Sequence, residues 1–140
     1  MKRVTGLGGI FFKTKNPQKK ETENWYERHL GINYTGSGGY PFWEWRSLND
    51  PEKTGETVWS IFDKKSEYFG NPDQQFMVNF RVANLVELIK VLREEGITIA
   101  GEIQEFEYGK FAWILDPDGN KIELWEPAEE TGFGGGMPAE

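Results

Sequence analysis

The chain contains no cysteine, and histidine occurs once. The lack of cysteine excludes disulfides, thiolate catalysis and zinc–cysteine sites, and it fits a reducing compartment. No apolar run is long enough to span a bilayer, and the start MKRVTGLGG lacks the apolar core of a signal peptide. The net charge of −7 also argues against a nucleic-acid or anionic-membrane partner. These absences together predict a cytoplasmic protein.

Aromatic residues, in contrast, are abundant, at 15% of the chain. Rings fit the pleated, half-buried surface of a sheet, so this composition favours a β-rich body. It is also compatible with a ring-lined cavity for a small molecule. A length of 140 residues suits one compact domain or two small modules that share a core.

Breaker residues and hydrophobic periodicity predict two helices among several strands. The first helix spans residues 19–30 and ends at Gly31; the second is capped by Asn84 and runs to about Glu95, before Gly96. The predicted strands are residues 7–14, 40–48, 56–63, 75–82, 98–104, 109–115 and 121–126. Residues 49–55 are predicted as a polar turn, residues 64–74 as a linker, and the stretch TGSGG as a flexible connection that can act as a lid.

The element order repeats, which indicates an internal duplication. Each half runs strand, helix, Gly-Ile and then strands, and the segment WSIFD at residues 59–63 aligns with IELWE at residues 122–126. The alternative is that two unrelated helices each happen to end at a glycine. We predict an α+β fold of two βαβββ modules, residues 1–66 and 67–128, around an open barrel-like cleft, followed by a flexible tail at residues 129–140.

Three segments carry a family resemblance. FAWILDPDGNKIELWEP resembles the closing hairpin of the vicinal oxygen chelate superfamily, which includes glyoxalases, bleomycin-resistance proteins and extradiol dioxygenases. NPQKKETENWYERHLGI is similar to that superfamily's first helix, and VANLVELIKVLREEGI resembles its second-module helix. The resemblance implies two βαβββ modules, often in homodimers, and in some members one divalent metal held by four side chains.

The residues at the implied metal positions differ from those of the metal-dependent members. The resemblance places the four ligands at Glu123, at or beside Ser60, and near Gly9 and Met77. Zinc, iron, nickel or manganese sites of this type need imidazole and carboxylate ligands. Glycine offers no ligand, methionine is soft and serine is weak, and the single histidine, His29, is predicted late in the first helix. We therefore expect no metal cofactor, with a divalent metal held by Glu123 as the alternative.

Glu123 is the most informative single residue, because it is a carboxylate between apolar neighbours in a predicted strand. Strand alternation should turn Ile122 and Leu124 toward a helix and Glu123 and Trp125 into the cleft. Glu123 is then a metal ligand, a hydrogen-bond acceptor for a Trp N–H, a Tyr hydroxyl or Arg81, or a base with a raised pKa. We name it as a tentative catalytic residue.

Rings and cations on the predicted strands are the candidate ligand-binding residues. The alternative for each ring is packing in the core. Arg46 and Arg81 are the cations expected to reach the cleft, where they could pair with an acidic or phenolic ligand. The ligand-binding candidates are Trp43, Trp45, Trp59, Phe62, Arg81, Trp113 and Trp125.

The GLGG stretch at residues 6–9 could be mistaken for a phosphate-binding loop. A phosphate loop opens a helix, whereas these residues precede the β-type run IFF. The glycines are expected instead to leave room at the mouth of the cleft or to let another backbone approach.

Two functional hypotheses follow from these observations. The first is a metal-free homodimeric protein that binds a small, partly aromatic or apolar molecule in a ring-lined cleft. The second is an enzyme of the same superfamily, a lyase, isomerase or dioxygenase that depends on a metal or uses Glu123 as base. The identity of the ligand is not readable from the sequence.

Overall fold

The computed structural model describes residues 3–34 and 40–128. The described residues form seven strands and two helices, and this confirms the predicted α+β class. In chain order they are β1 (Val4–Lys13), α1 (Lys19–Leu30), β2 (Phe42–Ser47), β3 (Asp50–Phe62), β4 (Phe76–Val82), α2 (Leu85–Glu94), β5 (Gln104–Phe106), β6 (Gly109–Leu115) and β7 (Lys121–Pro127). The TGSGG stretch at residues 35–39 and the predicted tail at residues 129–140 lie outside the described residues.

The seven strands form one sheet in the order β2-β3-β1-β4-β7-β6-β5. Strands β1 and β4 pair antiparallel at its centre, and each has a parallel neighbour, β3 beside β1 and β7 beside β4. The two halves therefore have equivalent pairings, as the predicted duplication requires. The sheet is open and does not close into a barrel. The second half is βαβββ, and the described part of the first half is βαββ.

Both helices lie where the sequence predicts them. Helix α1 ends at Gly31, whose φ of 70° is in the left-handed region that glycine adopts without strain. At the start of α2 the Asn84 side chain accepts a hydrogen bond from the backbone N–H of Glu87 at 3.3 Å. The two helices differ in packing, since α2 buries four side chains and α1 buries none.

Two predictions of local structure are wrong. Residues 49–55 are not a polar turn, because β3 begins at Asp50 and pairs with Ser47 across a two-residue connection. The polar side chains there are exposed, so their polarity does not oppose a strand. The predicted strand at residues 98–104 is only a single bridge between Ile99 and Ile114, followed by the short β5, with Gly101 at a positive φ of 93° between them.

The two faces of the sheet are packed differently. On the helix face, α2 covers the apolar side chains of β4, β6 and β7. The opposite face, which we call the aromatic face, carries a buried cluster rich in rings. Its members are Phe11, Val58, Phe62, Phe69, Met77, Phe111, Trp113 and Trp125.

The segment between β3 and β4, predicted as a linker, covers part of the aromatic face. Phe69 from this segment is buried with its ring centroid 5.2 Å from that of Phe62. The ring of Tyr68 stacks on Phe62 at 5.4 Å and meets Trp113 edge-on at 6.1 Å. This polar segment therefore supplies two rings to the core. Neither helix of the described chain is long and apolar enough to cross a bilayer.

Candidate functional site

Glu123 lies on the aromatic face, as strand alternation predicts. Leu124 belongs to the apolar cluster that α2 covers on the helix face, and Ile122 packs against that cluster. Trp125 belongs to the buried cluster of the aromatic face. The neighbours of Glu123 across the sheet are Asn79 on β4 and Trp113 on β6. The predicted orientation of this strand is confirmed.

The Glu123 side chain has no exposed surface, and both of its oxygens accept hydrogen bonds. Asn79 Nδ2 donates to Oε1 at 2.7 Å. The Tyr68 hydroxyl donates to Oε2 at 2.5 Å, and Trp113 Nε1 donates to the same oxygen at 2.9 Å. Of the three expected kinds of donor, a Trp N–H and a Tyr hydroxyl are present, and an Asn amide takes the place expected for Arg81. The three donors satisfy the buried carboxyl group.

Burial raises the pKa of Glu123 above its ordinary value. The hydrogen bonds from Tyr68, Asn79 and Trp113 lower it, as does the charge of Lys121, but burial has the larger effect. All three donors are neutral, and the Lys121 ammonium donates to the Tyr68 carbonyl at 2.7 Å and not to the carboxyl group. Burial beside Glu123 also raises the pKa of the Tyr68 hydroxyl, which therefore stays a donor.

The four positions implied as metal ligands do not form a donor set for a divalent metal. Glu123 already accepts hydrogen bonds from three neutral N–H and O–H donors, which would compete with a metal for its oxygens. Met77 is buried in the ring cluster, Ser60 is a neutral hydroxyl and Gly9 has no side chain. Among the residues the structure describes, no group of three or more His, Cys, Asp or Glu side chains could hold a metal ion.

The second feature of the aromatic face is an arginine between two tryptophans. Arg81 pairs with Trp125 across β4 and β7, and its Cζ lies 5.1 Å from the centroid of the Trp125 ring. The ring of Trp45 lies on another side, 5.7 Å from the same Cζ. Partial burial lowers the pKa of Arg81 from its very high ordinary value, and the charge of Glu56 raises it, so the guanidinium stays charged.

Two glycines make room for the Trp45 ring. A Cβ at Gly6 would lie 2.3 Å from Trp45 Cη2, and a Cβ at Gly55 would lie 2.4 Å from the same atom. Gly8 does the same for the Asn79 amide, because its Cβ would fall 2.1 Å from Asn79 Oδ1. The glycines of the GLGG stretch thus leave space for side chains of the aromatic face.

Three of the remaining ligand-binding candidates lie away from Arg81 and from the two tryptophan rings beside it. Trp59 is on the helix face, where its Nε1 donates to the Tyr34 hydroxyl at 2.7 Å and its ring packs 5.2 Å from Tyr26. Trp43 is 51% exposed and lines a depression of about 440 Å³ with the end of α1. Phe62 is 2% exposed in the ring cluster.

Two residues that complete the Glu123 cluster were missed by sequence reasoning. Asn79 is the only uncharged polar residue in the strand FMVNFRV, and that exception could have identified it. Tyr68 lies in a segment with no periodicity, so the sequence carried no signal for it. The half-buried Tyr108 was missed in the same way; its ring stacks 5.3 Å from Phe106, which is 39% exposed.

Comparisons with known proteins agree with this architecture. The model of the Glyoxalase/Bleomycin resistance protein/Dioxygenase superfamily matches residues 17–124. The chain is similar to the methylmalonyl-CoA epimerase of Streptomyces coelicolor, with a TM-score of 0.62 at 14% identity, covering 89% of this chain and 96% of that one. It is also similar to the methylmalonyl-CoA epimerase of Mycobacterium tuberculosis, with a TM-score of 0.55 at 20% identity, covering 89% of each chain.

A superfamily member from Vibrio splendidus gives a TM-score of 0.53 at 11% identity, covering 86% of this chain and 98% of that one. At such identities the likeness to these structures shows the fold alone. No curated protein sequence matches the chain.

Proposed function

Because the chain belongs to the glyoxalase/bleomycin resistance protein/dioxygenase superfamily, we propose that it binds a small, flat, partly apolar molecule against its aromatic face, without a metal. The observation that carries the metal-free part of this proposal is that the Glu123 carboxyl group accepts hydrogen bonds from three donors and has no exposed surface. A carboxyl group with these hydrogen bonds stabilises the packing of the aromatic face. It is poorly placed to take a proton from a substrate or to bind an ion.

The rings around Arg81 support the binding part of the proposal. Trp45, beside Arg81, and Tyr108, whose carbonyl accepts from Trp125 Nε1 at 3.1 Å, are partly exposed and combine apolar faces with polar edges, the composition typical of small-molecule sites. Phe106 and Tyr108 stack with an angle of 8° between their ring planes, and both are partly exposed, so an outer ring face is open to a flat ligand. A flat molecule would gain contact area here without requiring the buried cluster to open.

Metal-dependent chemistry does not fit the residues present. A divalent ion at Glu123 would have to displace the donors from Tyr68, Asn79 and Trp113, and each would then lose a buried partner. Ser60 and Met77 would not replace the imidazole and carboxylate groups that such a site needs.

The second candidate is a metal-free enzyme, a lyase or isomerase that uses Glu123 as base. The raised pKa of Glu123 favours it, because a base with a pKa nearer neutrality is better matched to proton transfer. Substrate would reach the carboxyl group only if the Tyr68 segment moved away from it. The two candidates therefore predict different effects of removing the Glu123 carboxyl group. An enzyme would lose its catalytic activity, whereas a binding protein would mainly lose stability.

Calorimetric titration with flat aromatic probes tests the binding proposal. Chelator-treated protein should bind 2-naphthoate or its neutral analogue 2-naphthamide, and added zinc should leave the affinity unchanged. The Trp45→Leu variant, at a partly exposed ring, should weaken binding, whereas Trp25→Leu at an exposed ring of α1 should not. If neither probe binds at millimolar concentration, or if binding requires zinc, the proposed function is wrong.

We also propose that the protein is a cytoplasmic homodimer. Helix α1 buries no side chain, and Trp25 and Leu30 on it are 52% and 60% exposed. Leu30 lines one depression with Trp43, which is 51% exposed, so these two exposed apolar side chains are neighbours. Apolar groups gathered in this way are typical of a contact between subunits. A chain without cysteine is compatible with the reducing cytoplasm.

A further inference from the structure

We propose that Arg81 is an anion-binding residue and that the ligand is a flat molecule carrying a carboxylate. This inference rests on the proposed function, because it specifies the chemistry of a ligand that the aromatic face would bind. It assigns the charged group of the ligand to Arg81 and its ring to the neighbouring aromatic side chains.

The first support is the way in which Arg81 is held. The rings of Trp45 and Trp125 lie 5.7 Å and 5.1 Å from its Cζ, and ring faces interact with the guanidinium as a whole. They do not use its five N–H donors in the way that an oxygen acceptor does. Within residues 3–34 and 40–128, no side-chain or backbone acceptor forms a hydrogen bond or ion pair with Arg81. The site therefore holds a positive charge in a fixed position, and the N–H donors of the guanidinium remain available to a ligand.

The second support is that the site is built and not a chance surface contact. Arg81 is half-buried in the middle of the sheet, in the row that contains Gly6 on β1 and Trp125 on β7. Gly6 and Gly55 leave the space that the Trp45 ring occupies, since a Cβ at either would overlap it. A central strand position normally carries an apolar side chain, and two glycines and two rings here accommodate a cation instead.

The third support is the chemistry that these groups select. A guanidinium presents parallel N–H groups that match the two oxygens of a carboxylate, and such charge-assisted hydrogen bonds are stronger than neutral ones. Glu56 acts on Arg81 electrostatically, and the guanidinium stays charged in spite of its partial burial. The aromatic part of the ligand would lie beside Trp45, whose ring is partly exposed and lies 5.7 Å from the Arg81 Cζ.

The alternative role for Arg81 is packing, in which its stem and guanidinium only fill the space between the two rings. The two roles differ in one property. A packing residue affects neutral and anionic ligands equally, whereas an anion-binding residue discriminates between them.

The experiment compares the acid 2-naphthoate with its neutral analogue 2-naphthamide in calorimetric titrations of the full chain. Wild-type protein should bind the acid about tenfold more tightly, the effect expected for one charge-assisted contact at a half-buried site. Arg81→Met, which keeps an unbranched apolar stem, should remove that preference by weakening 2-naphthoate alone. Arg93→Met, at an exposed arginine late in α2, is the matched control and should leave both affinities unchanged.

Each outcome decides between the proposals. Equal wild-type affinity for the two probes overturns the anion site and leaves the proposed function intact. An equal loss for both probes in Arg81→Met makes Arg81 a packing residue. Failure of both probes to bind wild-type protein overturns the proposed function, and the anion site with it. If Arg81→Met does not fold, the preference of the wild type and its decline with added sodium chloride decide the question.

Discussion

The hydroxyl of Tyr68 lies 2.5 Å from Oε2 of Glu123, although the two residues are 55 positions apart in the chain. The contact joins the segment between β3 and β4 to the last strand of the sheet. Lys121 reinforces it by donating to the Tyr68 carbonyl at 2.7 Å, with its ammonium 5.3 Å from the Tyr68 ring centroid. The segment between the halves is thereby fixed over the carboxyl group.

Removing that hydroxyl should destabilise the protein. Tyr68→Phe keeps the ring on Phe62 and Trp113 but leaves Glu123 Oε2 with Trp113 as its remaining donor, at an expected cost of about 1–3 kcal/mol in the free energy of unfolding. Urea denaturation measures the change. Tyr26→Phe is the control, because the Tyr26 ring packs on Trp25 and Trp59 and its hydroxyl forms no hydrogen bond within residues 3–34 and 40–128. Equal, small effects in both variants would contradict the assignment.

Replacing Glu123 should affect the fold in a way that depends on pH. Because burial raises its native pKa above the unfolded value, the native state keeps a proton that the unfolded chain releases. The stability from this proton is complete below the unfolded pKa and is lost as pH rises through the native pKa. Glu123→Gln cannot titrate, so its stability relative to wild type should improve as pH rises from about 4, near the ordinary glutamate pKa, into the neutral range.

The measurement is the free energy of unfolding of both proteins across that range. Glu123→Ala is the companion variant. It should be less stable than Glu123→Gln at every pH, by about 2–4 kcal/mol, because it leaves three donors and a cavity. A stability difference between Glu123→Gln and wild type that does not vary with pH would show that the native pKa is not raised.

The space around Trp45 predicts a coupled pair of substitutions. Gly55→Ala should cost about 1–3 kcal/mol of stability, since the new methyl group would lie 2.4 Å from the Trp45 ring. In a Trp45→Leu background the same change should cost much less, because the overlapping ring atoms are gone. A double-mutant cycle from urea denaturation measures this coupling. The same cost in both backgrounds would mean that the glycine is needed for another reason.

The exposed apolar side chains Trp25 and Leu30 on α1 predict a dimer in solution. Light scattering at micromolar concentration should give twice the chain mass of 16.1 kDa. The double variant Trp25→Ser/Leu30→Ser should shift the protein to a monomer. Leu48→Ser is the control, because Leu48 is 99% exposed at the turn between β2 and β3. A wild-type monomer with no concentration dependence would contradict the proposed assembly.

The sequence was sufficient for the larger features of the fold, because they depend on periodicity and breakers. Helix α1 has the predicted bounds, since the run KKETENWYERHL is followed by Gly31 in the left-handed conformation that ends a helix. The alternation of side chains in IELWE correctly predicted that Leu124 packs against α2 and that Glu123 lies on the other face of the sheet. Each inference used residues close together in the chain.

The details of the site could not be predicted, because they depend on contacts between distant residues. The donors to Glu123 come from Tyr68 and Asn79, and no local pattern relates either residue to the last strand. The room for the Trp45 ring depends on Gly6 and Gly55, which belong to different strands. The polar side chains of residues 49–55 predict a turn, although a hairpin with exposed side chains tolerates such residues.

Metal content tests the central claim, that Glu123 is enclosed by neutral donors and serves the fold and not a metal. The measurement is elemental analysis of protein purified without chelator, alongside Glu123→Gln. We predict no stoichiometric transition metal in either protein and almost no rise in melting temperature with added zinc or nickel, although a tight site would stabilise the fold. One bound metal per chain in the wild type, absent from Glu123→Gln, would contradict the account.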